Sequence, residues 1–203
     1  MLMNRIETVV INNPVRRALQ RWYEAPVLER LGGPLPVGAR VLEIGCGPGY
    51  GARLLLEHFG AAQVDAVDLD PAMAARARRR LAPYRGRVRV GVADATDLRP
   101  LIPDDGVYDA VFDFGIIHHI PTWRNALDEV ARVLKPGGTF YFEEVTKHAL
   151  DRASYRLLFD HPAHDRFTDT DFLAELAAHG LAARGHRTIV FGDFVLGAAE
   201  RTP

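Results

Sequence analysis

Between residues 41 and 51 the chain reads Val-Leu-Glu-Ile-Gly-Cys-Gly-Pro-Gly-Tyr-Gly. An apolar run carrying one carboxylate, Glu43, gives way to glycines at 45, 47, 49 and 51. Glycines in such a run let the backbone turn tightly and let a ligand approach main-chain atoms. A helix opening at this loop would present N–H groups without intrahelical partners. A second carboxylate, Asp68, closes the next apolar run about 20 residues on, where an acidic side chain can accept from ribose hydroxyls. Together these residues describe a nucleoside-binding crevice at the carboxyl ends of two neighbouring strands.

Two ligands compete for that crevice. Gly47-Pro48-Gly49-Tyr50-Gly51-Ala52 matches the G-x-G-x-x-A pattern that brings a dinucleotide pyrophosphate to a helix N-terminus. Glu43 through Gly49 gives instead E-x-G-x-G-x-G, with an acid inside the strand before the loop. A carboxylate beside a phosphate is unfavourable. An acidic rim of Glu43, Asp68 and Asp94 suits a cationic ligand such as S-adenosylmethionine, which carries a sulfonium and an ammonium. A plain turn between strand and helix would leave three matched features to coincidence.

The elements that must position these residues alternate. Strands are predicted at 40–45, 62–68, 87–93, 107–115 and 139–145, with helices at 49–59, from Pro71 to about Leu81 and at 122–134. The alternation argues for a parallel sheet covered on both faces. Residues 13–31 read as a helix that Pro26 should kink or break, and Lys135-Pro136-Gly137-Gly138 as a helix stop. After residue 145 the pattern changes to a polar connector at 146–167, a helix at 168–179, and two strand-like runs, 187–191 and 194–200, around a Gly192-Asp193 hairpin turn. A purely parallel sheet would not end in such a pair.

The chain has 203 residues, which suits one domain. Its 48% hydrophobic and 25% charged content is that of a globular protein, and a net charge of −1 gives no electrostatic case for nucleic acid. Cys46 is the only cysteine, so no internal disulfide can form. No apolar run approaches the roughly 20 residues that span a bilayer, and the first residues lack a signal-peptide core, so the expected location is cytoplasmic.

In order and spacing these segments resemble the class I S-adenosylmethionine-dependent methyltransferases, notably the small enzymes related to ubiquinone and menaquinone methylation. Residues 41–51, 66–73 (AVDLDPAM), 92–98 (VADATDL) and 108–120 (YDAVFDFGIIHHI) look like the family's first four motifs. Residues 127–145 look like the helix and strand that follow, and 192–201 like the final antiparallel strand. The resemblance implies a Rossmann-like doubly wound α/β fold with a seven-stranded sheet in the order 3-2-1-4-5-7-6, strand 7 antiparallel. It implies one S-adenosylmethionine-binding domain over 1–203, with 1–37 as a helical lid and 146–167 as a substrate-side connector. The backbone around Gly45, Cys46 and Gly47 would hold the methionine part and Asp68 the ribose, with Glu43 and Gly49 also in the cofactor site. Leu69, Asp94 and Ala95 would meet the adenine, and Asp113, Phe114 and Gly115 would face the methionine moiety and the methyl. The Asn/Asp-Pro-Pro-aromatic signature of base and glutamine methylation is missing from 108–120.

Methyl transfer from a sulfonium is an in-line displacement with a good leaving group, so alignment is the main demand. A base is needed only where the acceptor must lose a proton. His118 and His119, at the crevice mouth, are the candidates, against a structural role for the pair. Trp22, Tyr23, Tyr155 and His161 are candidate substrate contacts. His161-Pro162-Ala163-His164-Asp165 is not read as a metal site, since Pro162 opposes regular spacing and no cluster supports it. The helix near the N-terminus, with Arg16, Arg17, Arg21 and Arg30, reads as a lid, a packed helix or a peripheral membrane contact. The expected acceptor is a small molecule or a lipid- or quinone-like one. An S-adenosylmethionine-binding protein without methyl transfer and a nicotinamide-dependent oxidoreductase are the rivals.

Overall fold

The computed structural model describes residues 13–152, 162 and 164–203. Their strands are β1 (Arg40–Ile44), β2 (Gln63–Asp68), β3 (Val88–Val92), β4 (Tyr108–Phe114), β5 (Leu134–Val145), β6 (Leu181–Ile189) and β7 (Phe194–Arg201). They form one sheet in the order β3-β2-β1-β4-β5-β7-β6. β1 to β5 pair in parallel, and β7 lies antiparallel to both β5 and β6. Strand order and reversal are those the resemblance implied.

The helices are α1 (Pro14–Leu19), α2 (Ala25–Gly32), α3 (Tyr50–Glu57), α4 (Pro71–Arg80), α5 (Trp123–Val133), α6 (Lys147–Leu150) and α7 (Asp169–Ala178). Their starts are written locally. Asn13 accepts from the Arg16 N–H at 2.8 Å, and Asp70 from the Ala72 N–H at 2.7 Å, each with proline at the first helical position. Thr168 and Asp171 close a capping box on α7. One core, with Trp123, Leu127, Val130 and Phe172, lies under α5 and α7. The other, with Leu28, Leu55, Phe59 and Tyr141, lies under α2 and α3. β1 sits between them, so Val41, Leu42 and Ile44 are buried without any alternation. The chain runs from β1 outward through β2 to β3 and then crosses back to β4 on the other side of β1, and this reversal opens a crevice at the carboxyl end of β1.

Three local expectations are corrected. Pro26 does not break the first helix: α1 runs through a π turn at Gln20–Glu24 into α2. Proline has no N–H for the helical ladder, and the widened turn before it absorbs the missing bond. β5 begins at Leu134 rather than Thr139. Leu134 pairs with Tyr108 and Thr139 with Ala110, so Lys135–Gly138 bulge out opposite Asp109, whose carboxylate takes Lys135 Nζ at 2.6 Å. The hairpin turn is Val190–Gly192, one step earlier than expected, and β6 extends back to Leu181. β6 is a mostly exposed edge strand without an apolar period, so its first half, before residue 187, carries no strand signal. Among the described residues no helix is long and apolar enough to cross a membrane.

Candidate functional site

A cavity of about 200 Å³ opens at the carboxyl ends of β1, β2 and β4. Of the residues singled out in the sequence, Glu43, Gly45, Cys46, Gly47, Asp68, Leu69, Asp94, Ala95, Phe114, Gly115 and His119 line it. The backbone conformation explains the glycines. A Cβ on Gly45, at φ +63°, would overlap Ile116, and one on Gly51 would overlap Glu43 Oε1. Asp68, at the end of β2, accepts from the Gly47 N–H at 2.7 Å and the Asp70 N–H at 2.8 Å. One carboxylate thus ties the glycine loop to the second strand and keeps lone pairs for a ligand. Asp94 accepts from the Thr96 N–H at 2.9 Å and its hydroxyl at 2.8 Å, which fixes the turn after β3.

Glu43 decides between the two ligands. It is buried, and its carboxyl lies against the first turn of α3 and takes the Ala52 N–H. The anion-binding end of α3 is therefore occupied by an acid of the chain itself, which disfavours a pyrophosphate there. Burial, then the charge of Asp68, pushes the Glu43 carboxyl well above the usual carboxylate range. Its Oε2 is buried, with no hydrogen-bond partner among the described residues. An ammonium delivered to that atom would satisfy it. The donor set fits an adenosyl ligand with a cationic amino-acid tail.

Several expected contacts fall elsewhere. Gly49 does not line the cavity: at φ +83° it caps α3, and a Cβ there would press on Ala77 of α4. Asp113 is fully buried behind the wall and accepts from the Gly115 and Ile116 N–H groups at 3.0 and 2.9 Å. His118 also turns away, with Nδ1 on Glu144 at 2.6 Å, and burial lowers its pKa to about 4. Trp22 is 75% exposed with the Arg21 guanidinium over its ring, and neither it nor Tyr23 reaches the cavity, because the π turn presents Arg16, Arg17 and Gln20 there instead. Tyr155 and His161 lie outside the described residues. Sequence reasoning missed Gln20, Tyr50, Met73, Ile116 and Ile120 as lining residues. Tyr50 and Ile116 adjoin recognised motifs, while Gln20 is brought in only by tertiary packing.

Behind the cavity the carboxyl ends of β4 and β5 hold a buried acidic cluster. Arg16 bridges Glu24 and Glu143. Burial, then Glu143, raises Glu24 to about 9. Burial raises Glu144 to about 7, offset by hydrogen bonds it receives, and raises Asp113 well above its usual range. These carboxyls keep protons that the unfolded chain releases near pH 4.5, so stability falls as pH rises from there toward the folded values. His118 acts oppositely, but only as pH drops below 6.5 toward about 4. Between pH 6.5 and about 8.5 the fall is unopposed, at about 1.4 kcal/mol per pH unit for each retained proton. Calorimetry of the ligand-free protein should show a melting temperature lower at the alkaline end by several degrees; a higher one would contradict the protonated cluster.

The cavity, the acid inside β1 and the reversed β7 define a class of protein, and comparison with known proteins gives the same answer. A family model for a methyltransferase domain matches residues 41–138. Residues 41–138 thus carry a methyltransferase domain, on the fold of the S-adenosylmethionine-dependent methyltransferases. The chain is 38% identical to a malonyl-[acyl-carrier protein] O-methyltransferase of Halorhodospira halophila, over 74% of this chain and 50% of the relative. It is 34% identical to a trans-aconitate 2-methyltransferase of Methylobacterium nodulans, over 62% and 45%. The chain thus spans about half the length of these curated relatives. The crystal structure of an S-adenosylmethionine-dependent methyltransferase from Mesorhizobium loti superposes with a TM-score of 0.71 at 21% identity, covering 87% of this chain and 96% of that one.

Proposed function

We propose that the chain binds S-adenosylmethionine in this cavity and transfers its methyl group to a small, partly apolar acceptor. The observation that carries the reading is the buried Glu43 Oε2, without a hydrogen-bond partner among the described residues, on a cavity that Asp68 and Asp94 also line from the ends of the next two strands. The ligand supplies a methyl carbon on a sulfonium, already a good leaving group. The chain's residues supply orientation: Glu43 takes the ammonium, Asp68 the ribose hydroxyls, and Asp94 with Leu69 and Ala95 the adenine. Alignment of this kind accounts for up to about 7–11 kcal/mol of a two-reactant barrier.

Phe114, Ile116, Ile120 and Pro121 give the remaining wall an apolar surface that excludes water and suits an apolar acceptor, a lipid- or quinone-like one included. His119 is the member of the histidine pair on the cavity, placed to take a proton from an acceptor that must lose one. The two relatives' names specify acidic molecules, malonyl-[acyl-carrier protein] and trans-aconitate. A carboxylate oxygen is already ionised at neutral pH and needs no base. The helical segment before residue 37 is the lid in this reading, through Arg16, Arg17 and Gln20.

The test is incubation with methyl-labelled S-adenosylmethionine and a panel of trans-aconitate, a fatty acid, malonyl-[acyl-carrier protein] and a quinone-precursor phenol. Label in an extractable product, with equimolar S-adenosylhomocysteine, is expected for at least one. Binding of S-adenosylmethionine with no transfer to any acceptor would favour a binding protein without methyl transfer.

A further inference from the structure

α1 and the π turn that follows it are amphipathic in the opposite sense to an ordinary surface helix. Their six exposed positions, Pro14, Val15, Ala18, Leu19, Trp22 and Tyr23, are all apolar or aromatic. The polar positions between them, Arg16, Arg17, Gln20, Arg21 and Glu24, are half-buried or buried. Val15 is 77% exposed and Trp22 75%. Positions 15, 19 and 22 fall on one helical stripe. A single exposed apolar side chain needs no explanation, whereas a continuous stripe marks a contact surface.

The stripe has a basic border. The Arg21 guanidinium stands over the Trp22 ring at 5.4 Å. Arg21 and Arg53 share Glu57, which also takes the Tyr84 hydroxyl. Burial, then the like charges of Arg17 and Arg53, lowers the pKa of Arg80, so these arginines are close neighbours. Glu57 offsets one charge of the four cations Arg17, Arg21, Arg53 and Arg80. Glu29, the next acid along the helix, meets His58 at 3.4 Å instead. A second copy packed isologously would bring the same cations to both sides of the contact. An anionic lipid surface matches both features: apolar side chains enter the acyl boundary while guanidiniums stay among the headgroups. Trp and Tyr are the aromatic residues that favour that boundary.

We propose that the outer face of this segment, from Val15 to Tyr23, docks the protein on an anionic lipid surface. The inner face of the same segment lines the cavity with Arg16, Arg17 and Gln20. Docking therefore leaves the cavity one helix diameter, about 10 Å, from the lipid. An amphiphile can keep its tail in the lipid while its head group spans that distance. The docking surface needs no ligand in the cavity, so it stands apart from the cofactor reading.

The experiment is co-sedimentation of the whole chain with vesicles of phosphatidylcholine alone and of phosphatidylcholine with phosphatidylglycerol, read also by tryptophan emission. Of the two tryptophans Trp123 is already buried, so a blue shift reports Trp22. The phosphatidylglycerol vesicles should bind the chain, shift its emission to the blue and release it as salt rises. Leu19→Asp should weaken binding at least about tenfold and Arg53→Gln about fivefold, with melting temperatures as fold controls. Equal binding to both kinds of vesicle would overturn the choice of an anionic surface. A chain that ignores both, and dimerises through a contact that Leu19→Asp dissolves, would overturn the proposal in favour of a second copy on this face. A monomer that ignores both, with its emission unmoved, would overturn it outright.

Discussion

Glu144→Ala is expected to lower the free energy of unfolding by about 3–5 kcal/mol, because three buried N–H donors lose their acceptor at about 1–3 kcal/mol each. For a chain of this size that is a drop of the order of 10 °C in melting temperature. Glu144 is fully buried at the end of β5. It accepts from the Ile117 N–H at 2.7 Å, the His118 N–H at 3.1 Å and His118 Nδ1 at 2.6 Å. Asp113, its neighbour on β4, holds the Gly115 and Ile116 N–H groups. Two carboxyls thus hold four consecutive amides, 115 to 118, in a segment that has no sheet partner for them. Alanine would leave the Ile117 and His118 amides and the His118 ring buried without an acceptor. Glu144→Gln keeps one acceptor oxygen and should lose less. The same segment carries Gly115, Ile116 and His119 into the cavity, so ligand affinity should fall with stability. Urea unfolding followed by circular dichroism measures the loss; a change under about 1 kcal/mol would show that the amides find other partners.

Asp68→Ala should weaken S-adenosylhomocysteine at least about 100-fold, because hydrogen bonds to a charged group contribute about 1.5–3 kcal/mol each and more than one is removed. Asp68 acts twice. It fixes the Gly47 and Asp70 amides, and its remaining lone pairs face the cavity, where the proposal places the ribose hydroxyls. Asp68→Asn retains one oxygen and should lie between wild type and alanine. A titration in which the alanine variant binds as wild type does would remove Asp68 from the site.

The alternation of strands and helices, the glycine loop and the acids at the ends of the first strands were legible because each rests on local chemistry, whereas the strand order came from the family resemblance. The apolar run of β1, Pro71 at a helix start and the spacing from Gly47 to Asp68 are written in adjacent residues. What sequence could not show is set by distant partners. His118 and His119 are adjacent and alike, yet Glu144, 26 residues from His118, turns one away and leaves the other on the cavity. Asp113 stands where a ligand contact was expected and instead binds its own loop. Trp22 looked like a ligand cover, but the π turn before Pro26 rotates Arg16, Arg17 and Gln20 inward in its place. Only the end of β6, from 187, was read as a strand; its first half escaped notice because an exposed edge strand needs no apolar period.

The wild-type arm of the Asp68 titration tests the central claim most directly. S-Adenosylhomocysteine and the oxidised and reduced nicotinamide dinucleotides are titrated in turn into the same ligand-free protein. A cavity whose helix end is filled by Glu43 should bind the first at one site per chain and give no heat with the dinucleotides. Saturable binding of a dinucleotide, with none of S-adenosylhomocysteine up to millimolar concentration, would contradict the account at its base.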